Sequence, residues 1–213
     1  MTNSSPAARF APGTVLHNPV TSEWARVLSS NEGMTRAEVL VPPGGGVPFT
    51  HRHVVQTERF DVLSGELTVV LDGVVHSVGA GETATVEPGV AHCWTSTGEE
   101  PLYCVLTITP SLRFPDMIAV SWGLCARGRS RPDGSPGISD SLLMAEAFAV
   151  ELELASPPHW VQRLAVRALA PLVRAAGRRI DDPQLIQASV VDADRWPGPH
   201  AAARTAEVLA CVA

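Results

Sequence analysis

The sequence predicts a mainly β barrel or sandwich followed by helices, and three observations support this prediction. From about residue 14 to residue 110, short runs of Val, Leu, Thr and Ile recur with turn residues between them. Asp72-Gly73 separates two of these runs, which is a strong signal for a β-hairpin. Helical periodicity is absent from this stretch and begins only after it. Many short strands joined by Gly and Pro turns are typical of a closed barrel or a sandwich.

The predicted strands are short and are separated by turns. Sequential antiparallel strands alone would leave an open edge, so we expect the sheets to close on themselves or to cover each other. The clearest candidates are residues 34–41, 66–71, 74–78, 83–86 and 102–109. Together with their flanking segments they define a predicted barrel over residues 14–110.

Residues 111–180 form a predicted helical extension, packed on the barrel or on a dimer partner. Pro115 suits the first position of a helix and Gly128 suits its end, so the first helix should cover residues 115–127. A second helix should cover residues 140–154, where apolar residues recur with helical spacing.

The second helix should begin after Ser139 as its N-cap. Its apolar side chains should form one face of the helix, and a face of this kind has to be buried. The residues of this face are Leu143, Ala147, Val150 and Leu154.

A third helix and a weakly predicted tail follow. The helix should start after Ser156 as its cap, bend at Pro171 and end at Gly177. Its arginines and apolar residues form a basic amphipathic pattern, which we expect to pack on the domain rather than to lie on a membrane. Residues 181–213 are predicted as a tail, with either a short Ala-rich helix over residues 200–212 or no regular structure there.

Composition and charge exclude several partners and mechanisms. The chain has 213 residues and a formal charge of −6, which makes it a poor binder of phosphate backbones, so we expect no nucleic acid partner. It contains no Lys, which excludes a lysine Schiff base, and Tyr103 is its only tyrosine. It shows no signal-peptide pattern and no apolar run long enough to span a bilayer, and its four cysteines fit no metal motif. We therefore expect a cytoplasmic protein with no membrane partner.

Four possible metal ligands are spaced so that a barrel would bring them together. His51 and His53 are separated by one residue, and side chains alternate faces along a strand, so both should point the same way. Residues 54–57 leave room for a turn before Glu58, and a later strand supplies His92. Three neutral imidazoles and one carboxylate suit a divalent transition metal with one or two positions left open. We therefore predict a centre that holds iron, manganese, nickel, cobalt or zinc.

These four residues lie in two motifs that resemble those of the cupin family. The first motif is glycine, then His-x-His, glutamate and a second glycine at fixed spacings, and it is matched by Gly45, His51, His53, Glu58 and Gly65. The second motif is matched by Gly81, Pro88, Gly89 and His92, while Ser96 stands where the family usually carries Asn. The resemblance covers about residues 14–110. It implies a double-stranded β-helix, or jelly-roll, of the small single-barrel type with the helices as a C-terminal extension.

The resemblance to cupins also implies what the protein does. It indicates a metal-dependent enzyme that acts on a small organic molecule, either as an oxygenase or as an isomerase or cyclase. Glu58 could leave the metal and serve as a catalytic base. The alternatives are a non-enzymatic, metal-dependent binding or sensor protein and a metal-stabilised scaffold with no ligand. Because cupins commonly dimerise and the apolar face of the second helix has to be buried, we expect a homodimer.

Strand alternation predicts further side chains beside the metal. Residues that alternate with the ligands should share their face and form an apolar, aromatic pocket with a few polar groups. The predicted substrate-binding residues are Phe49, Gln56, Phe60, Trp94 and Ser96. The same alternation turns Cys93 away from the metal, so it is not predicted as a ligand.

Overall fold

The computed structural model describes residues 10–198 of the chain. This part of the chain is mainly β with helices after the barrel, as predicted. The strands are β1 (Val15–Asn18), β2 (Glu23–Ser30), β3 (Thr35–Val41), β4 (Gly46–Arg52), β5 (Thr57–Ser64), β6 (Leu67–Leu71), β7 (Val74–Val78), β8 (Thr83–Val86), β9 (His92–Ser96), β10 (Leu102–Thr109), β11 (Glu153–Leu154) and β12 (Val190–Val191). The helices are α1 (Phe114–Ala126), α2 (Ile138–Ala147), α3 (His159–Ala175) and α4 (Pro183–Ser189), followed by a 3-10 turn, Ala193–Arg195.

The strands form two antiparallel sheets that face each other. The seven-stranded sheet has the order β12-β1-β2-β3-β10-β5-β8, and the five-stranded sheet has the order β11-β4-β9-β6-β7. Neighbours in each sheet pair antiparallel, so the described residues contain no parallel pairing between these strands. The predicted hairpin is confirmed, because Asp72-Gly73 joins β6 to β7 and both residues have positive φ.

The barrel core lies between the two sheets. Phe60 on the seven-stranded sheet and Trp94 on the five-stranded sheet are buried, and their ring centroids lie 5.2 Å apart. They belong to a cluster of buried apolar residues that includes Val39, Val62, Leu67, Val69, Val86 and Leu102. This packing removes a large apolar area from water and holds the two sheets in register around the site.

The first predicted helix is confirmed, whereas the second is shorter than predicted. Helix α2 begins at Ile138, with Gly137 rather than Ser139 in the N-cap position, and it ends at Ala147. Val150 and Leu154 are exposed, so the predicted continuous apolar face was wrong. The physical reason is that β11 pairs with β4, and this backbone pairing competes with continuation of the helix.

Helix α3 starts later than predicted. It begins at His159 with Pro158 in the N-cap position, rather than after Ser156. A residue that precedes proline is disfavoured in the helical conformation, which excludes both Ser156 and Pro157 from the helix. Pro171 lies inside α3. No helix among residues 10–198 is long and apolar enough to cross a membrane.

The segment that follows the extension folds back onto the barrel. Strand β12 pairs with β1, and α4 packs against α1. Gly123 on α1 permits this contact, because an added Cβ would lie 1.9 Å from the carbonyl oxygen of Leu185. The alternative of a helix over residues 200–212 lies outside the described residues.

Candidate metal centre

The four predicted ligands meet inside the barrel. His51 on β4 and His92 on β9 are direct cross-strand partners, and His53 follows the end of β4. Glu58 reaches them from β5 on the opposite sheet. All four side chains are buried, and one donor atom from each lies within 4.8 Å of the other three. The fold thus brings together the residues that the spacing predicted, and these residues could hold a metal ion.

The carboxylate of Glu58 lies between two of the imidazoles. Its Oε2 atom is 3.0 Å from Nε2 of His92 and 3.6 Å from Nε2 of His53. The longer distance exceeds that of a hydrogen bond, so Nε2 of His53 is a buried polar atom without a hydrogen-bond partner. Because a buried nitrogen of this kind is costly when unsatisfied, its presence supports a ligand in the centre.

Each histidine is oriented by a backbone carbonyl group. The Nδ1–H of His51 donates to the oxygen of Phe49 at 3.1 Å, and that of His92 donates to the oxygen of Val90 at 3.0 Å. A carbonyl oxygen can only accept, so Nδ1 of each of these two rings carries a proton, and Nε2 of His51 keeps its lone pair for an ion. Metal-binding histidines characteristically donate their second N–H to such a group.

His53 takes its carbonyl partner from the helical extension. Its Nδ1–H donates to the backbone oxygen of Glu151 at 2.6 Å, across 98 positions of the sequence. The buried side chain of Glu151 in turn accepts the backbone N–H of Arg113 at 3.1 Å. Sequence reasoning missed this support, because a backbone carbonyl group has no residue identity that a motif could reveal.

The pKa values of Glu58 and His51 favour the forms that bind a cation. Burial alone would raise the pKa of Glu58, but the contacts with His53 and His92 lower it to about 2. Burial and the neighbouring His92 lower the pKa of His51 to about 4. Burial lowers the pKa of His53, but the interaction with Glu58 outweighs it and raises that pKa above its usual value. At neutral pH the centre therefore contains an ionised carboxylate and a neutral His51, which are the forms that bind metal.

The donor set itself decides which ions fit. Three imidazole nitrogens and one carboxylate oxygen suit iron, manganese, cobalt, nickel or zinc, and they disfavour calcium and magnesium. Cys93 is partly buried and is absent from the group of converging donor atoms. The centre would hold a metal through His51, His53, Glu58 and His92.

A large cavity opens beside these ligands. It has a volume of about 1390 Å³, and His51, His53 and Glu58 contribute to its lining. Apolar side chains dominate its walls, including Val27, Val39, Leu106, Ile108, Phe114, Met117, Met144 and Phe148. Because α1, α2 and α3 contribute part of this lining, the cavity belongs to the barrel and to the extension together.

The five predicted substrate-binding residues lie in different surroundings. Phe49 and Trp94 line the cavity, and Phe49 is 44% exposed. Phe60 packs in the barrel core, and Ser96 is buried with a hydroxyl group that has no hydrogen-bond partner. Gln56 is buried and donates its amide to two backbone oxygens, at 3.0 Å each. Their role in substrate binding remains a prediction.

The only tyrosine of the sequence, Tyr103, lies away from the metal centre. Tyr103 donates its hydroxyl group to Glu38. Burial and this carboxylate raise the pKa of Tyr103 to about 12. The residue does not line the cavity.

Comparison with known proteins identifies the family of the barrel. Residues 37–108 match the sequence profile of the cupin domain family. This range includes all four converging ligands and spans both motifs. The barrel is a cupin domain, and the helices follow it in the chain.

Solved structures with similar folds cover up to about half of this chain. An RmlC-like cupin from Shewanella frigidimarina has 22% identity and a TM-score of 0.41, over 52% of this chain and 96% of that one. A predicted oxalate decarboxylase from Thermotoga maritima has 25% identity and a TM-score of 0.39, over 41% and 80%. The nucleoside dehydratase Pac13 from Streptomyces has 18% identity and a TM-score of 0.39, over 48% and 81%. No curated protein matched the sequence.

Proposed function

We propose that this chain is a metal-dependent enzyme that acts on a small organic molecule, as an oxygenase or as an isomerase or cyclase. The observation that supports this proposal is the complete set of four buried donors, His51, His53, Glu58 and His92, of which the first three line a cavity. A bound metal would supply Lewis acidity or dioxygen activation there. The barrel would exclude water and orient the substrate against the ligands.

Glu58 is the proposed catalytic group of the chain. Its carboxylate lines the cavity and is the one carboxylate among the four converging donors. A proton taken from a substrate in the cavity could be accepted at Oε2, which is held 3.0 Å from Nε2 of His92. In this arrangement His92 would orient the carboxylate for the transfer.

The proposal is tested by metal content and turnover together. Untagged protein should contain about one transition-metal ion per chain by elemental analysis, and the His51→Ala/His53→Ala variant should lose it. His76→Ala is the matched control, because His76 lies on β7 outside the group of converging donors. Equal metal content in wild type and the double variant would contradict the site. Metal and ligand binding without oxygen uptake or product formation, over a screen of metals, would favour the alternative of a binding or sensor protein.

We also propose that the protein is a homodimer in the cytoplasm. Strand β7 is an edge strand of its sheet, and Val74 and Val75 on it are 58% and 67% exposed. An edge with exposed apolar residues is suited to pairing with a second copy. Cys93, Cys104 and Cys125 are free thiols, which fits a reducing compartment. A monomer by light scattering at micromolar concentration would contradict the dimer.

A further inference from the structure

The cavity beside the metal centre reaches an exposed apolar rim. Four large apolar side chains both line the cavity and are exposed, and we call them the apolar rim: Phe49, Leu154, Trp160 and Leu164, with exposures of 44%, 43%, 69% and 62%. They come from the ligand strand β4, from β11 and from α3. Exposed apolar groups that surround a cavity are typical of a ligand entrance.

Two arginines lie beside the apolar rim. Arg163 and Arg167 are four positions apart on α3, so they occupy the same side of the helix, and both line the cavity. Both are exposed, and neither forms an ion pair with a residue in the described part of the chain. The chain as a whole carries a formal charge of −6, so two unpaired positive charges at this entrance contrast with its negative net charge.

The carboxylates near this entrance are already engaged. Glu146 on α2 pairs with Arg174, and Glu153 on β11 lies 2.7 Å from Nδ1 of His159. Deeper in the lining, Glu23 accepts a backbone N–H at 2.8 Å and a hydroxyl group at 2.9 Å. These contacts leave the two arginines at the rim free to bind an anion from outside the chain.

We infer that the substrate of this centre is a bulky, mostly apolar organic anion. Its apolar body would fill the cavity, and its carboxylate, sulfonate or phosphate group would pair with Arg163 and Arg167. This inference rests on the proposed function, since it takes the cavity as the substrate site. The volume of about 1390 Å³ exceeds the roughly 300–1,000 Å³ of an ordinary small-molecule pocket, which favours a bulky ligand. Guanidinium groups bind such anions through paired hydrogen bonds.

The charge preference is tested with two related fluorescent probes. Metal-loaded full-length protein is titrated with 1-anilinonaphthalene-8-sulfonate and with N-phenyl-1-naphthylamine, which lacks the sulfonate. Arg163→Gln/Arg167→Gln should raise the Kd of the anionic probe about tenfold, as expected for lost charge-assisted hydrogen bonds, and leave that of the neutral probe unchanged. The matched control Arg178→Gln/Arg179→Gln removes the same charge outside the cavity lining and should change neither Kd.

A second variant tests whether the probes enter the cavity. Ala37 lies on β3 and lines the cavity, so Ala37→Leu should weaken both probes by filling space inside it. Unchanged binding of both probes in Ala37→Leu would place them on the outer surface of α3 and overturn the inference. Equal effects of Arg163→Gln/Arg167→Gln on both probes would also overturn it, because the arginines would then lack selectivity for charge.

An anionic membrane surface could also bind the apolar rim and the two arginines, so membrane binding is tested separately. Sedimentation with phosphatidylglycerol vesicles should leave the protein in the supernatant. If the protein sediments with the vesicles and Arg163→Gln/Arg167→Gln abolishes this, the rim contacts a membrane and the inference is wrong. Metal content is measured separately. If the protein retains its metal but shows no preference for the anionic probe, the inferred substrate class is wrong and the proposed function is not contradicted.

Discussion

The barrel and the helical extension support the three histidines of the metal centre in different ways. His51 and His92 are each oriented by a carbonyl group two positions earlier in their own part of the barrel. His53 is oriented by the carbonyl group of Glu151, which belongs to the extension. The three histidines are equivalent in the sequence motifs, but the hydrogen bonds show that His53 depends on a distant part of the chain.

Loosening the outer part of the extension should cost stability while sparing the ligands. Gly123→Ala would place a Cβ against the backbone of Leu185, so α1 and α4 would have to separate. We expect the free energy of unfolding in chemical denaturation to fall by about 2–3 kcal/mol, as for overpacked cores. Metal affinity should remain close to that of wild type, because neither residue touches the centre.

The control for this variant is another glycine of the extension. An added Cβ at Gly137 would meet only the oxygen of Arg129, at 3.8 Å, and alanine is a poorer N-cap of α2 than glycine, so Gly137→Ala should lower stability by about 1 kcal/mol at most. Wild-type stability in Gly123→Ala would contradict the described packing of α1 on α4.

Breaking the link between the extension and His53 should have a smaller and more selective effect. Glu151→Ala removes the carboxylate that anchors this segment to the N–H of Arg113, so the carbonyl partner of His53 would be less well held. Metal affinity in a chelator competition should fall about tenfold, the lower end of the range for groups that support metal ligands. Glu151→Gln retains an oxygen acceptor and should stay near wild type.

Equal metal affinity in Glu151→Ala and wild type would show that the barrel alone orients His53. The barrel and the extension would then supply different carbonyl partners to the histidines without a difference in their contribution to metal affinity. Loss of affinity in Glu151→Gln as well would instead assign the effect to the negative charge of the carboxylate.

The smallest expected effect lies within the barrel. Glu23 is buried beside the start of the ligand strand, and burial raises its pKa above the usual value. A raised pKa in the folded state means that stability is lost as pH rises through that pKa, because the unfolded chain ionises more easily. Glu23→Gln removes this penalty, so its Tm should exceed that of wild type at pH 7 by about 2 °C or less.

The advantage of Glu23→Gln should shrink as the pH is lowered through the folded-state pKa, and it should disappear below the pKa of the unfolded chain, about 4.3, where both states of the wild type are protonated. A difference in Tm that stays constant from pH 4 to pH 8 would contradict the assignment to ionisation. Metal content should be unaffected at neutral pH, since Glu23 is not among the four converging donors.

The ligands could be predicted from the sequence because their geometry is local. The alternation of side chains places His51 and His53 on one side, and the two motifs add Glu58 and His92. Apolar periodicity was a weaker guide in the extension. Val150 and Leu154 continue a helical pattern, yet the chain leaves the helix at Ala147 to pair with β4.

The parts that sequence reasoning missed depend on long-range contacts between backbones. The carbonyl group of Glu151 and the short strands β11 and β12 carry no compositional signal, because any residue offers the same backbone groups. Helix α4 was also missed, since its seven residues are too few to show a period.

The pairing of β1 with β12 has a consequence for the synthesis of this protein. Val15 lies opposite Val191, so the seven-stranded sheet joins two strands that are far apart in the sequence and leave the ribosome at different times. Contacts that are so distant in sequence form slowly, and they cannot form before both partners have been made. The nascent chain therefore carries an incomplete sheet until β12 has left the ribosome.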